Sequence, residues 1–494
     1  MKQIKTIIAI LFAVTLLLLC SCTGGNRGAG TDSIDSESGA NSGNAGDEIG
    51  SQGLAYINNG NGTCTITGIG TCTDTDVIIP SGIDNLDVVE IGEKAFEDCA
   101  ISSVTIPESV TGIGLCAFLG CTSLKSISVP ASVTSIGNSA FYGCTSLESV
   151  TLPDGLTKIG LCTFLGCTSL TSISIPGSVT SIGSRAFEGC ISLTSIAIPA
   201  GVTSIGESVF SSCTSLESVT VPDEVTSIGK KAFFGCASLT SISIPDSITS
   251  IGQSAFAGCL SLTSISIPDG ITSIGNEAFK YCPSLTSITI PDSVTGIKSD
   301  TFSDCDSLVV KWMVTDLAGF CGNSHKCGAN WECYLNGLLV SDLAIPDGVK
   351  EICGSAFYGC TSLSAVSIPD SVTSIGNGAF DGCTSLTSIS IPGSVTSIGA
   401  SAFYGCTSLI SITISDGVKT IGGGAFTGCA SLTCVTIPAS VTDIGIAAFL
   451  YCYRLTDINY SGTKAQWRYI SSVLLFYDFV PTVHCLDGDC PAFG

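Results

Sequence analysis

Residues 236–258 read C-A-S-L-T-S-I-S-I-P-D-S-I-T-S-I-G-Q-S-A-F-A-G. Leu239, Ile242 and Ile244 give the spacing L-x-x-I-x-I, with Thr240, Ser241 and Ser243 between them. Such alternation of apolar, largely β-branched residues with small polar ones predicts a short strand with one face turned inward. Pro245 predicts its end, because proline has no N–H for a parallel ladder. Ile248, Ile251, Ala255 and Phe256 predict a return path against the same core. Gly252 and Gly258 fall where the chain must turn tightly. One such unit cannot bury a Leu, four Ile, a Phe and a Cys by itself, so neighbouring copies must cover one another.

The copies are present. A cysteine recurs every 23 residues at Cys121, Cys144, Cys167, Cys190, Cys213, Cys236, Cys259, Cys282 and Cys305, and again at Cys360, Cys383, Cys406, Cys429 and Cys452, with Cys99 one residue out of step. A fixed period of this length predicts a repeat solenoid, in which length counts coils rather than domains. Fifteen phenylalanines, from Phe96 to Phe449, mark the coils. Bulky Phe on the return side and small Ser and Thr on the strand side predict a curved rod. Its parallel β-sheet would lie on the concave face and irregular turns on the other.

Composition excludes several alternatives. Charged residues are 12% and aromatics 7%, unlike a coiled coil or a helical repeat. Lys and Arg number 18 against 41 Asp and Glu, a net charge of -23. A chain this acidic is repelled by phosphate backbones, so no nucleic-acid partner is expected. Its two histidines lie in unrelated segments, and G-x-S-x-G, H-E-x-x-H and a phosphate-cradling Gly-Lys-Ser/Thr do not occur. Asp246, Asp269 and Asp292 follow the strand proline, a turn position that favours Asp for backbone reasons, rather than forming a facing carboxylate pair. No enzyme, metal or cofactor is predicted.

The cysteine ladder reads as core. Thiols stacked in register have parallel side-chain vectors, which disfavour the disulfide dihedral. A 23-residue ladder also lacks the converging local spacing of a metal site. Each thiol is expected to act as a small apolar residue with a weak donor, bonding loop backbone of the next coil.

Lys2 and Lys5 precede an apolar run, Ile7 to Leu19, of signal-peptide length. It ends Leu19-Cys20-Ser21-Cys22, which resembles the bacterial lipoprotein signal and implies acylation of Cys22. Cys20 is the alternative, but Leu19 would then stand where a small residue belongs. Residues 23–53 hold almost no large apolar side chain and are expected to form a flexible tether.

The string C-T-S-L-T-S-I-S-I-P-G-S-V-T-S-I-G-A-S-A-F-Y-G from Cys383 to Gly405 resembles the BspA-like leucine-rich repeats of bacterial surface proteins. Cys64-Thr-Ile-Thr-Gly-Ile-Gly-Thr-Cys72 is similar to that family's capping coil, and Tyr460-Ser-Gly-Thr-Lys-Ala-Gln-Trp467 to its closing repeat. The expected organisation is a signal peptide (1–22), a tether (23–53), an N-terminal capping coil (54–98), a first repeat block (99–307), a non-repeat insertion (308–345), a second block (346–458) and a C-terminal cap (459–494). The resemblance implies a lipid-anchored protein displayed at the bacterial surface. It also implies adhesion to host or neighbouring-cell proteins.

The insertion concentrates unusual residues: Trp312, Cys321, His325, Cys327, Trp331 and Cys333. Its cysteine spacings do not match a C-x-x-C zinc framework. A local disulfide among Cys321, Cys327 and Cys333 is the expectation, with one thiol left over. Trp312 and Trp331 are candidate ligand contacts, since aromatics anchor interfaces; exposure of both would favour a protein-binding site and burial a spacer. Cys64 with Cys72, and Cys485 with Cys490, are candidate cap disulfides of an exported protein. On the strand face Lys125, Glu148 and Glu217 interrupt a ladder of Thr and Ser and are further candidate contacts. The uniform hydroxyls would also suit a glycan. A carbohydrate-binding module and a structural spacer are the two alternatives to an adhesin.

Overall fold

The computed structural model describes residues 50–492 apart from 292, 295–296, 299, 323–329, 336–337 and 471–479. Cys22, the signal segment, most of the tether, His325 and Cys327 lie outside the described residues.

The L-x-x-I-x-I segment forms the expected strand. In Ser264–Ser266 the outer serines are exposed and Ile265 is buried. Its register partner is one period on, with Ser264 opposite Ser287 and Ile265 opposite Ile288, parallel. Successive coils therefore place like on like. The protein is a parallel-strand leucine-rich-repeat solenoid.

The return path is more regular than the sequence suggests. Ser-Ile pairs such as Ser227–Ile228, Ser250–Ile251 and Ser273–Ile274 build a second parallel ladder, and five strands from Glu351–Ile352 to Asp443–Ile444 build another. A third side is closed at the Ala-Phe corner, where the Phe233 N–H donates to Ala255 O and the Phe256 N–H to Ala278 O, both at 2.8 Å. Coils in register thus satisfy much of their backbone against their neighbours on three sides, as burial of a polar main chain requires, although residues 170–175 form no strand and interrupt the first ladder.

Two glycines per coil do different work. Gly258 has φ +78°, a left-handed turn that suits a residue without Cβ. Gly252 does not turn in that sense; a Cβ there would stand 2.5 Å from the carbonyl carbon of Gly229 in the preceding coil. Its requirement is close approach, which corrects the expectation of a tight turn at both.

The core is a column of rings. From Phe96 to Phe302, and from Phe357 to Phe449, consecutive centroids lie 5.2–5.7 Å apart with planes within 15° of parallel. Between the blocks, strand Val309–Val314 pairs parallel with Ser287–Ile290 on one side and Asn330–Leu335 on the other. The short helix Leu317–Cys321 connects them, capped by the Asp316 carboxylate accepting the Gly319 N–H at 3.0 Å. Trp312, Phe320 and Trp331 then fill the column as far as Phe357, with neighbouring centroids 5.6–6.4 Å apart.

Antiparallel hairpins stand at both ends. Ala55–Asn58 lies on Thr63–Gly68, and Thr482–Cys485 pairs with Gly488–Pro491. Reversing strand direction there stops further parallel addition at an otherwise open edge. Helix Lys464–Ile470 supports the C-terminal hairpin, its buried Trp467 donating Nε1–H to Ala492 O at 3.2 Å.

Candidate interaction surface

The exposed strand side is a hydroxyl ladder, but many of its donors are already used. In the position after the recurring Leu of each coil, Thr263 Oγ1 donates to Thr240 O at 3.3 Å and Thr194 Oγ1 to Thr171 O at 3.4 Å. Thr387, Thr433 and Thr456 repeat the contact at 3.1–3.3 Å. The second ladder does the same through Thr180, Thr226, Thr249 and Thr272 at 3.2–3.4 Å. These hydroxyls stitch coil to coil.

Lys125, Glu148 and Glu217 occupy this same position and are exposed. Lys125 and Glu148 stand on adjacent coils, joined by the Glu148 N–H donating to Lys125 O at 2.8 Å. Glu217 lies three coils further on, its N–H on Thr194 O at 2.8 Å. Upstream, Asp76 accepts from Ser103 Oγ at 2.7 Å and Ser102 Oγ at 2.8 Å. Those bonds, with a smaller contribution from the Lys125 charge, hold its carboxyl below the usual range.

Trp312 and Trp331 are not part of this surface. Both are fully buried, which corrects their reading as ligand contacts. The physical reason is the interrupted phenylalanine column: without them the two blocks would face each other across a void. Trp331 also joins the blocks through its backbone. Its N–H donates to Gly359 O at 3.1 Å, and its carbonyl accepts the Thr361 N–H at 3.0 Å.

The cysteines divide into two groups, and all those described are free thiols. Ladder thiols donate to the Phe carbonyl of the preceding coil, as Cys144 to Phe118 O at 3.1 Å and Cys236 to Phe210 O at 3.1 Å. The direction is opposite to that expected. Burial pushes Cys144 and Cys190 up to about 12, so these are inert core groups. Off the ladder, Cys321 and Cys333 are buried thiols, each pushed up to about 12 by burial. The Cys64 thiol points inward to Leu86 O at 3.9 Å, and no bond joins it to Cys72. The sulfurs of Cys485 and Cys490 stand 3.9 Å apart, unbonded.

Some exposed groups escaped the sequence reading. Tyr281 and Tyr451 stand where other coils carry the left-handed glycine, 57% and 40% exposed, and Tyr453 lies 6.0 Å from Tyr451. Leu338 and Leu339 protrude from a short antiparallel strand in the insertion at 74% and 52% exposure. Departure from the repeat at the glycine position was the available signal for the tyrosines. A shallow groove of about 770 Å³ runs along the second ladder of the later block, past Ser374, Asn377, Ser397 and Thr420.

Coils of this length, with a strand, a return ladder and a Phe column, define a leucine-rich-repeat solenoid. The family model described as BspA type Leucine rich repeat region (6 copies) matches residues 89–217, 180–309 and 330–456, and the chain belongs to that family. It is similar to a leucine-rich repeat protein from Bacteroides ovatus, 30% identical over 86% of this chain and 97% of that one, with a TM-score of 0.56. It is also similar to a leucine rich cell surface protein from Faecalibacterium prausnitzii, 32% identical over 87% of this chain and 98% of that one, TM-score 0.33. A Treponema pallidum leucine-rich repeat protein is 32% identical over 42% of this chain and 88% of that one, TM-score 0.35. No curated protein matches.

Proposed function

We propose that the chain is a non-enzymatic cell-surface adhesin, exported and lipid-anchored through Cys22, that binds host or neighbouring-cell proteins through its solenoid surface. The observation that carries this reading is membership of a repeat family with a cell-surface relative similar along almost its whole length. Lys125, Glu148 and Glu217 are the assigned contacts, being exposed charges where other coils carry the stitching threonine. The full chain is expected to bind cells or matrix proteins saturably, and the triple substitution K125A/E148A/E217A to weaken binding at least tenfold. A blank result across a broad matrix and cell panel would sink the adhesin. Incorporation of labelled fatty acid into the wild type but not Cys22→Ser tests the anchor.

A spacer is the second reading, favoured by one observation: the two tryptophans of the insertion are core. It predicts that removing repeats from the displayed protein leaves adhesion unchanged. The glycan reading keeps the exposed strand serines, such as Ser264 and Ser266, and the acceptor lone pairs of the stitched threonines, and a glycan array tests it.

A further inference from the structure

Two thiols meet across the last hairpin. Thr482–Cys485 pairs antiparallel with Gly488–Pro491, placing Cys485 opposite Gly488 and Cys490 opposite Val483. Cys485 and Cys490 are therefore diagonal neighbours on one face of the ribbon. Their sulfurs lie 3.9 Å apart. Closing that gap to a bond of about 2.05 Å moves each sulfur by roughly 1 Å. Ladder cysteines differ in kind: their thiols point the same way and are taken by carbonyls at 3.0–3.3 Å. Cys485 is half-buried, whereas Cys490 is 8% exposed.

The hairpin is also a docked part. Leu486 N–H donates to Gly462 O at 2.9 Å, and Lys464 N–H to Asp487 Oδ1 at 2.8 Å. His484 bridges Asp457 and Asp489 at 2.8 and 2.9 Å. Its first strand, Thr482–Cys485, pairs parallel with Asp457–Tyr460 of the sheet. If the hairpin lifts, that strand becomes an open edge.

We propose that Cys485 and Cys490 form a redox clasp, closed by exchange with a low-molecular-weight disulfide, that cross-links the two strands of the terminal hairpin. The Cys485 thiolate attacks the incoming disulfide, and one half leaves as a thiolate that takes up a proton. Cys490 loses its proton and attacks the Cys485 sulfur, releasing the second half as a thiol. Two protein thiols are oxidised and one small disulfide is reduced to two thiols. Burial, then the contact with Cys490, pushes the Cys485 thiol up to about 12, while the nearby Lys464 ammonium draws it down. Exchange therefore accelerates through the alkaline range.

The test uses the full chain, purified reduced and incubated with oxidised glutathione at alkaline pH. Alkylation with iodoacetamide and peptide mapping follow. The peptide holding both cysteines is expected to be unalkylated and about 2 Da lighter than the dithiol, the loss of two hydrogens. Cys490→Ser is expected to retain glutathione on Cys485, and Cys485→Ser to leave Cys490 unmodified. Amide exchange across residues 482–491 should slow about tenfold on oxidation and recover on reduction. Complete alkylation of both cysteines after oxidation, glutathione held on Cys490 in preference to Cys485, or unchanged amide exchange overturns the proposal.

Discussion

The thiol of Cys144 donates to the main-chain carbonyl of Phe118 at 3.1 Å, and the same carbonyl accepts the Cys121 N–H at 3.2 Å. One oxygen thus closes its own coil and receives the next. A buried carbonyl has two lone pairs, and leaving one unmet at every coil would accumulate along the array. Cysteine serves because it packs as a small apolar residue while keeping a weak donor.

Removing that sulfur in mid-array should be felt locally. Cys236→Ala loses the bond to Phe210 O and leaves a small void, an expected cost of about 1–2 kcal/mol. In a stacked array the loss falls on the flanking coils. Amide exchange should therefore accelerate around Phe210 and Phe233 first; uniform acceleration along the chain would contradict this.

The two glycine positions should separate in mutagenesis. Gly252→Ala forces backbone apart, since the new Cβ would lie 2.5 Å from the Gly229 carbonyl carbon, and is expected to cost about 2–3 kcal/mol. Gly258→Ala meets nothing closer than 3.5 Å and carries only the left-handed penalty, about 1–2 kcal/mol. Conversely, Tyr281 holds φ +57° without being glycine. Tyr281→Gly should gain a few tenths to about 1 kcal/mol after the entropy of glycine is subtracted. Urea midpoints of the three variants give the order.

Much of this fold is legible in the 23-residue register. The inward set Leu239, Ile242, Ile244 and Phe256 allows one strand direction and one stacking order. The second ladder is not legible. Ser250–Ile251 is a two-residue strand followed at once by Gly252, a pattern that reads locally as a turn, and only the neighbouring coil supplies its hydrogen bonds. Trp312 and Trp331 were misread for a related reason. Their burial depends on Phe320 and on Phe357 beyond the break, contacts that no periodicity announces. The Cys485–Cys490 approach was legible as a spacing, but its diagonal register required the hairpin.

Trp331 is the joint between the blocks. It is fully buried, its ring is 6.4 Å from Phe357, and its backbone bonds to both Gly359 and Thr361. Trp331→Ala is expected to cost about 3–5 kcal/mol by cavity formation. Because nearest-neighbour interfaces transmit cooperativity in a solenoid, denaturant unfolding should change from one transition to two. A single, merely shifted transition would mean that the coupling runs elsewhere.

The C-terminal cap should respond to pH in two opposite senses. His484 lies between carboxylates, Nε2 at 2.8 Å from Asp457 and Nδ1 at 2.9 Å from Asp489. The bond to Asp457 first, and that to Asp489 second, raise its pKa above the ordinary 6.5. A raised folded value means that protonated His484 stabilises the cap fully below about 6.5, and that this is lost as pH rises through the raised value. For Asp457 the sign reverses. Its bonds to His484 and then Thr456 lower it below the ordinary 3.8, so its contribution is present above about 3.8 and fades as pH falls through the lowered value. Amide protection of residues 457–460 and 482–485, corrected for intrinsic exchange, should therefore be greatest between these limits and decline on both sides. His484→Gln removes the titrating group while keeping hydrogen-bonding capacity, and should flatten the alkaline limb. A variant that retained that limb would assign the decline to another group.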